Sequence, residues 1–336
     1  VIILKEVIRD LIARTLADEP VSVKEAEPLF EVPLFSDEAG LLLSAGRRKS
    51  EQASGGVAEV HAQVGLNVGA CPKNCLFCAF AAKNGIFSET RILPIEEVVK
   101  RAVAFETQGA NAIYLMETAS HPFDRFLEAG REARKALKTG TPLVANTGDL
   151  DPRQAMALLE AGFGGIYHAE RLREGRDTTL DPEKRRETMR IGREAGLVVG
   201  TCVEPVGPEH TPIELAEKTF TAVAALPAFS GAARRISIPG THIAARGMTD
   251  KARMALVIAA VRLLTPLSVP GNCTHEPDGI GAFAGANLLW AEAGSNPRDT
   301  SEETEKERGM SVSECRTILQ EAGWRVLQGP SRFFRS

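Results

Sequence analysis

From residue 57 onward the chain repeats one pattern: a short apolar run, then an amphipathic stretch at helical spacing. The apolar runs predict strands at 60–68, 112–117, 142–147, 164–169, 197–203, 234–239, 267–272 and 287–291. Helices are predicted between them near 95–108, 122–138, 152–161, 182–195, 212–226, 249–264 and 278–284, with one more at 311–322. In the 212–226 segment Leu215, Ala216, Thr219, Phe220 and Val223 form an apolar stripe, leaving Glu214, Glu217 and Lys218 to water. Gly109, Gly162, Gly196 and Gly285 sit where helices should stop, and Pro94, Pro152, Pro182 and Pro212 where helices should start. Strand–helix alternation repeated eight times predicts an α/β fold, a parallel (β/α)8 TIM-type barrel. An open barrel of six units is the competing architecture; the readable seventh and eighth strands favour the closed one.

Residues 1–56 read differently, as an N-terminal helical extension. Ile8, Leu11, Ile12 and Leu16 fall at helical spacing, and a second helix over 37–49 turns Leu41, Leu42 and Leu43 inward. The organisation is therefore an extension (1–56), a barrel (57–310), and a C-terminal helix and tail (311–336). A net charge of -4 with scattered Lys and Arg gives no footprint for nucleic acid or membrane. No apolar run reaches the roughly eighteen residues of a membrane span, and the first residues lack a secretory-signal layout. Six cysteines in 336 residues are too few for a disulfide framework, which points to reduced thiols in a cytoplasmic setting.

Three of those thiols are close together. Cys71, Cys75 and Cys78 lie in Gly69-Ala-Cys-Pro-Lys-Asn-Cys-Leu-Phe-Cys-Ala-Phe80, just after the first strand, where a barrel of this kind carries its chemistry. Three thiolates from one loop suit an iron–sulfur cluster that leaves one iron free. A closed structural zinc site would need a fourth protein ligand, and no fourth Cys or close His pair follows at the expected spacing.

Cys71-x3-Cys75-x2-Cys78, with Phe77 before the third Cys, resembles the radical S-adenosylmethionine (SAM) superfamily, and the resemblance runs over residues 60–300. Within it the chain looks most like the biotin synthase, hydrogenase maturase and methylornithine synthase group. The resemblance implies a 4Fe–4S cluster on the three cysteines, SAM on the open iron, and reductive cleavage of SAM to a 5′-deoxyadenosyl radical that abstracts hydrogen from substrate. It also implies SAM contacts. Phe77 flanks the cluster. Glu117, ending the second strand, meets the methionine amine. Glu170, after the fourth strand, holds the ribose hydroxyls. Arg185 grips the SAM carboxylate, and Val203 to Val206 flank the adenine.

The remaining polar strand ends are substrate candidates: Asn146, His168, Arg235 and Ser237, then Asn272, Thr274, His275, Glu276 and Asp278. Thr147 and Asp149 share the third strand end, where turn chemistry is the alternative; Asp278 reads equally as a helix cap. The adjacent Arg234 and Arg235 require one inward-facing cation, which suits an anionic substrate. The expected activity is hydrogen abstraction from a small polar, carboxylate-bearing molecule, followed by rearrangement, cleavage or bond formation. The expected partners are that substrate and an electron donor such as flavodoxin or ferredoxin, with no nucleic acid and no membrane. Two alternatives stand beside it. One is biotin synthase-like sulfur insertion with a second cluster on Cys202 and Cys273; against it, auxiliary-ligand positions here hold Leu115, Val144 and Gly200. The other is a non-catalytic iron–sulfur or zinc-binding assembly protein.

Overall fold

Eight parallel strands close on themselves. The computed structural model describes residues 2–334, with side chains from Lys5 onward. The barrel strands are β1 (Val57–Gly65), β2 (Ala112–Met116), β3 (Leu143–Asn146), β4 (Gly165–Tyr167), β5 (Val198–Gly200), β6 (Phe229–Arg234), β7 (Gly271–Cys273) and β8 (Leu288–Gly294). Each pairs in parallel with its successor, and β8 returns to β1 in a register running from Glu59↔Leu288 to Gly65↔Gly294. The α-helices of five residues or more, in chain order, are α1 (Ile2–Leu16), α2 (Asp37–Ser54), α3 (Ile95–Gln108), α4 (Phe123–Ala136), α5 (Pro152–Glu160), α6 (Pro182–Ala195), α7 (Pro212–Ala224), α8 (Lys251–Leu264), α9 (Gly279–Phe283) and α10 (Val312–Glu321). Pro152, Pro182 and Pro212 occupy first helical positions, as predicted. Gly196 closes α6 at φ 100°, a conformation that side chains disfavour.

The extension does what its apolar stripes require. Ile8, Leu11 and Ile12 of α1 and Leu42 and Ala45 of α2 are buried in one cluster with Met254, Ile258 and Val261 of α8. That cover explains why α8 is apolar nearly all round. Leu41 departs from expectation: it is exposed, because consecutive helical residues cannot share a face. Lys49 of α2 is buried and its Nζ donates to the carbonyls of Thr15 and Leu263 while pairing with Asp18 at 2.9 Å, so one ammonium joins α1, α2 and α8.

Strand six begins five residues earlier than the sequence suggests. Arg-Arg-Ile-Ser-Ile reads as an alternating strand, yet β6 is the small-residue run Phe229-Ser-Gly-Ala-Ala-Arg, and Arg235 to Ile238 form the loop above it. Close strand packing selects this register. A Cβ on Gly231 would lie 2.1 Å from the Cys273 carbonyl oxygen of β7. Arg235 and Ser237 are therefore loop residues, not a strand face; the Ser237 hydroxyl donates to the Ala244 carbonyl.

The N-terminal mouth of the barrel is plugged by the C-terminal segment. Glu59 of β1 accepts from the Arg332 backbone at 2.6 Å and from the Ser331 hydroxyl, and pairs with His61 at 2.9 Å. Above it His61, Tyr114, Phe229, Trp290, Phe333 and Phe334 fill the interior with aromatic rings. The barrel is thus dry below and open for chemistry only at the other mouth.

Gly231→Ala should destabilise the protein by about 3 kcal/mol, since the added methyl overpacks the β6–β7 contact at a φ of 143°. Equilibrium denaturation checks this; an unchanged midpoint would contradict the described register.

Candidate active site

The loop bearing the three cysteines leaves β1 through Asn67–Val68, which pairs antiparallel with Arg91–Ile92. Asn67 fixes the departure: its side chain donates to Thr118 Oγ1 at 2.7 Å and accepts the Thr118 N–H at 2.9 Å, joining the ends of β1 and β2. The loop is then tied across the mouth. Leu76 N–H donates to Asp177, the Thr179 hydroxyl to Lys73, and Ala79 N–H to Pro297. Within it, Cys78 N–H donates to Cys75 O at 3.0 Å, and Phe80 N–H approaches Cys78 Sγ at 3.4 Å. Asn74 takes a left-handed φ of 47°, and its side chain accepts the Lys83 N–H.

Cys71, Cys75 and Cys78 are free and half-buried, and all three line one cavity of ≈ 230 Å³ at the C-terminal mouth. Burial pushes the Cys75 thiol up to about 11 and the Cys78 thiol up to about 12. Such thiols ionise only when compensating positive charge arrives, which a bound metal supplies.

Opposite the cysteines stand the strand ends. From β3 and the residues beyond it come Asn146, Thr147 and Asp149; from the end of β4, Tyr167, His168 and Arg171; from α6, Arg185. Arg185 donates to Asp149 at 2.9 Å and to the Ala169 carbonyl at 3.1 Å, and His168 Nε2 lies 3.2 Å from the same Asp149 oxygen. Burial opposes ionisation of Asp149, but the His168 hydrogen bond and the Arg185 charge outweigh it and hold its pKa well below the usual range. His168 is held down to about 3, first by burial and then by the Arg185 charge, so it is neutral. Glu117 lines the cavity too, 2.8 Å from His121 Nδ1 and accepting from the Thr147 hydroxyl.

Of the expected SAM contacts, Phe77, Glu117 and Arg185 line the cavity; Glu170, Val203 and Val206 do not. Glu170 instead accepts from Arg186 at 2.6 Å and pairs with Lys218, which is buried and not solvated. Val203 and Val206 join the apolar cluster beneath α7, while the residues between them, Glu204 and Pro205, line the cavity. Of the substrate candidates, Asn146, His168, Arg235 and His275 reach the cavity. Asn272 is structural, donating to the Gly285 carbonyl. Thr274 is buried outside the lining, and Ser237 serves its loop. Glu276 belongs to a neighbouring cluster with Arg234 and Arg308, both at 2.8 Å. Asp278 caps α9 through the Gly279 N–H at 2.7 Å, the alternative its sequence offered.

Sequence reasoning missed Gln63, Arg171, Glu204, Glu292, Asn296 and Arg298, all in the lining. Gln63 and Glu292 carried a signal, each being a polar residue inside an otherwise apolar strand. Gln63 accepts from Asn146 at 2.8 Å, and Glu292 holds Asn296 and Arg298.

A closed parallel barrel with three cysteines at its catalytic mouth defines a metal-cluster enzyme of the TIM-barrel class. Residues 68–220 match the sequence pattern of the radical SAM superfamily. A biotin synthase from Delftia acidovorans is 27% identical over 320 residues, covering 89% of this chain and 88% of that protein. One from Oleidesulfovibrio alaskensis is 30% identical over 199 residues, covering 56% of this chain and 60% of that protein. Two solved structures share the fold. The FeFe-hydrogenase maturase HydG superposes with a TM-score of 0.80 at 16% identity over 96% of this chain and 76% of its own. Methylornithine synthase PylB superposes with a TM-score of 0.73 at 17% identity over 96% and 98%. The family's cofactors are a 4Fe–4S cluster and SAM, and the donor set fits the cluster. Soft thiols suit iron–sulfur ligation. Among the described residues no three Cys, His, Asp or Glu side chains converge as on a single ion.

His168, with its lowered pKa, ties stability to pH. Its pKa is depressed by folding, so the unfolded chain binds the extra proton, and stability falls as pH drops from about 6.5 toward 3. His210, lowered to about 4, and His275, held well below its ordinary value, act in the same direction. His168→Gln should therefore flatten the dependence between pH 6 and 4 by about one proton, or about 1.4 kcal/mol per pH unit. Denaturation at several pH values measures it; an unchanged slope would mean that His168 is not held neutral.

Proposed function

We propose that this radical SAM enzyme abstracts a hydrogen atom from a small polar, carboxylate-bearing substrate, leading to rearrangement, cleavage or bond formation. The observation that carries this reading is a single cavity lined at once by the three motif cysteines and by the cationic side chains Arg171, Arg185, Arg234, Arg235 and Arg298. When bound, the cluster and SAM supply the one-electron chemistry that removes a hydrogen atom from a substrate carbon. Cys71, Cys75 and Cys78 would hold the cluster, with Phe77 beside them; Glu117 and Arg185 would contact SAM.

The rest is the work of this chain. Reactive carbon centres must be kept from water and stray hydrogen donors. From below, the aromatic layer of Tyr114, Phe229 and Trp290 does this. From above, the loop after β6 crosses the mouth, with Ile236 and Ile238 facing the cavity. It is pinned by His242 N–H to Asn84 at 3.0 Å, Arg246 to Asp177 at 2.8 Å, and Arg235 to Glu209. The neutral His168 and half-buried Asp149 keep Arg185 in one orientation, so its charge meets an anion without reorganisation.

The similarity to biotin synthases raises sulfur insertion, but the cysteines in the cavity lining are the motif three. Cys202 and Cys273 lie buried in the aromatic cluster beneath it. Hydrogen abstraction without an auxiliary sulfur donor is therefore the preferred reading. A flavodoxin or ferredoxin is the proposed electron donor, and the reducing cytoplasm the proposed location, consistent with six free cysteines. Among the described residues no helix is long and apolar enough to cross a membrane.

Anaerobically reconstituted protein incubated with SAM, reductant and deuterated carboxylate-bearing candidates should carry label into 5′-deoxyadenosine, and Cys75→Ala should abolish both SAM cleavage and label transfer. Full SAM cleavage by Cys75→Ala would contradict the assignment.

A further inference from the structure

Four of the six cations around the cavity are hydrogen-bonded to a carboxylate; Lys73 and, on the β4–β5 side, Arg171 are not. Arg185 meets Asp149, Arg234 meets Glu276, Arg235 meets Glu209, and Arg298 meets Glu292, each within hydrogen-bond distance. Arg171 differs. Its guanidinium makes no hydrogen bond to any described residue, and its nearest carboxylate, Glu204 Oε1, stays 3.7 Å from Nε. The Glu204 carboxylate likewise accepts no hydrogen bond among the described residues. Beside them the Tyr167 hydroxyl is buried without a partner. All three residues line the cavity, and Leu172 N–H to Glu204 O at 2.7 Å fixes the two backbones relative to each other.

A buried or half-buried donor, acceptor and hydroxyl left unmatched together are costly, and such sets are normally completed by something the protein binds. The chemistry says what. A free guanidinium takes a carboxylate through two parallel N–H donors. A free carboxylate a few ångströms away takes an ammonium. A neighbouring phenol can donate to the first or accept from the second. We infer that Arg171, Glu204 and Tyr167 form a clamp for the zwitterionic head of an amino acid, and that the substrate is of that class. The inference rests on the reading of this cavity as one that takes a small carboxylate-bearing substrate. SAM presents the same head group. Its carboxylate, however, is matched by resemblance to Arg185, which leaves Arg171 for a second one.

The reconstituted full chain, saturated with SAM, can be titrated calorimetrically with each of the twenty proteinogenic L-amino acids. Each ligand found is then compared with the amine lacking its carboxylate and the acid lacking its amine. At least one amino acid should bind saturably, and both analogues should bind at least tenfold more weakly. Arg171→Gln should lower amino-acid affinity at least tenfold and remove the advantage over the amine. Glu204→Gln should do the same relative to the acid. SAM affinity should stay within twofold in both variants, and Arg171→Lys, which keeps the charge, should lose less. Binding by none of the twenty would overturn the clamp, as would equal binding of the amine analogue. A tenfold loss of SAM affinity in the variants would reassign the clamp to SAM and overturn it as a substrate site. SAM cleavage, measured separately, distinguishes the two failures. Cleavage without amino-acid binding refutes only the clamp; binding without cleavage refutes only the radical reading.

Discussion

Closure of the parallel barrel is the constraint from which the rest follows. A parallel strand cannot turn directly into its neighbour, so each needs a helical return, and every strand end then points to the same mouth. Eight strand ends from scattered sequence positions are thereby gathered around one space. The cysteine loop, the longest excursion at that mouth, becomes part of its wall through Asn67, Asp177 and Pro297. Where two strands must come unusually close, as β6 and β7 do at Gly231, side chains are given up to permit it.

The second constraint is electrostatic. A cavity that collects six cationic side chains would not be stable unless most of them were matched. The structure matches them locally, through Asp149, Glu209, Glu276 and Glu292. The same pairing holds elements in place: Asp149 joins β3 to α6, and Glu209 joins the segment after β5 to the loop over the mouth. Charge pairing thus serves as scaffold around the site, and an unmatched group within it is conspicuous.

The architecture was legible in the sequence because strand and helix periods differ and because Gly and Pro mark helix ends. The helix over 95–108 and that over 182–195 match their predicted bounds. What the sequence could not show was direction. Glu170 and His168 are two residues apart beyond β4; one faces the cavity and the other turns to Arg186 and Lys218. Val203 and Glu204 divide in the same way, which placed the apolar residue outside and the carboxylate inside. Strand six runs against composition: Arg-Arg-Ile-Ser-Ile has the better strand residues, whereas backbone contact with β7 selects the small residues before it. The C-terminal plug was invisible for another reason: Ser331 and Glu59 are far apart in sequence, and neither carries a local signal for the other.

The central claim is that Cys71, Cys75 and Cys78 hold an iron–sulfur cluster with one iron open to the cavity. Electron paramagnetic resonance of the anaerobically reconstituted, reduced protein, recorded with and without SAM alongside metal analysis, tests it most directly. The account predicts about four irons per chain and a 4Fe–4S signal whose shape changes when SAM is added. A colourless protein carrying zinc, or a cluster signal indifferent to SAM, would contradict it.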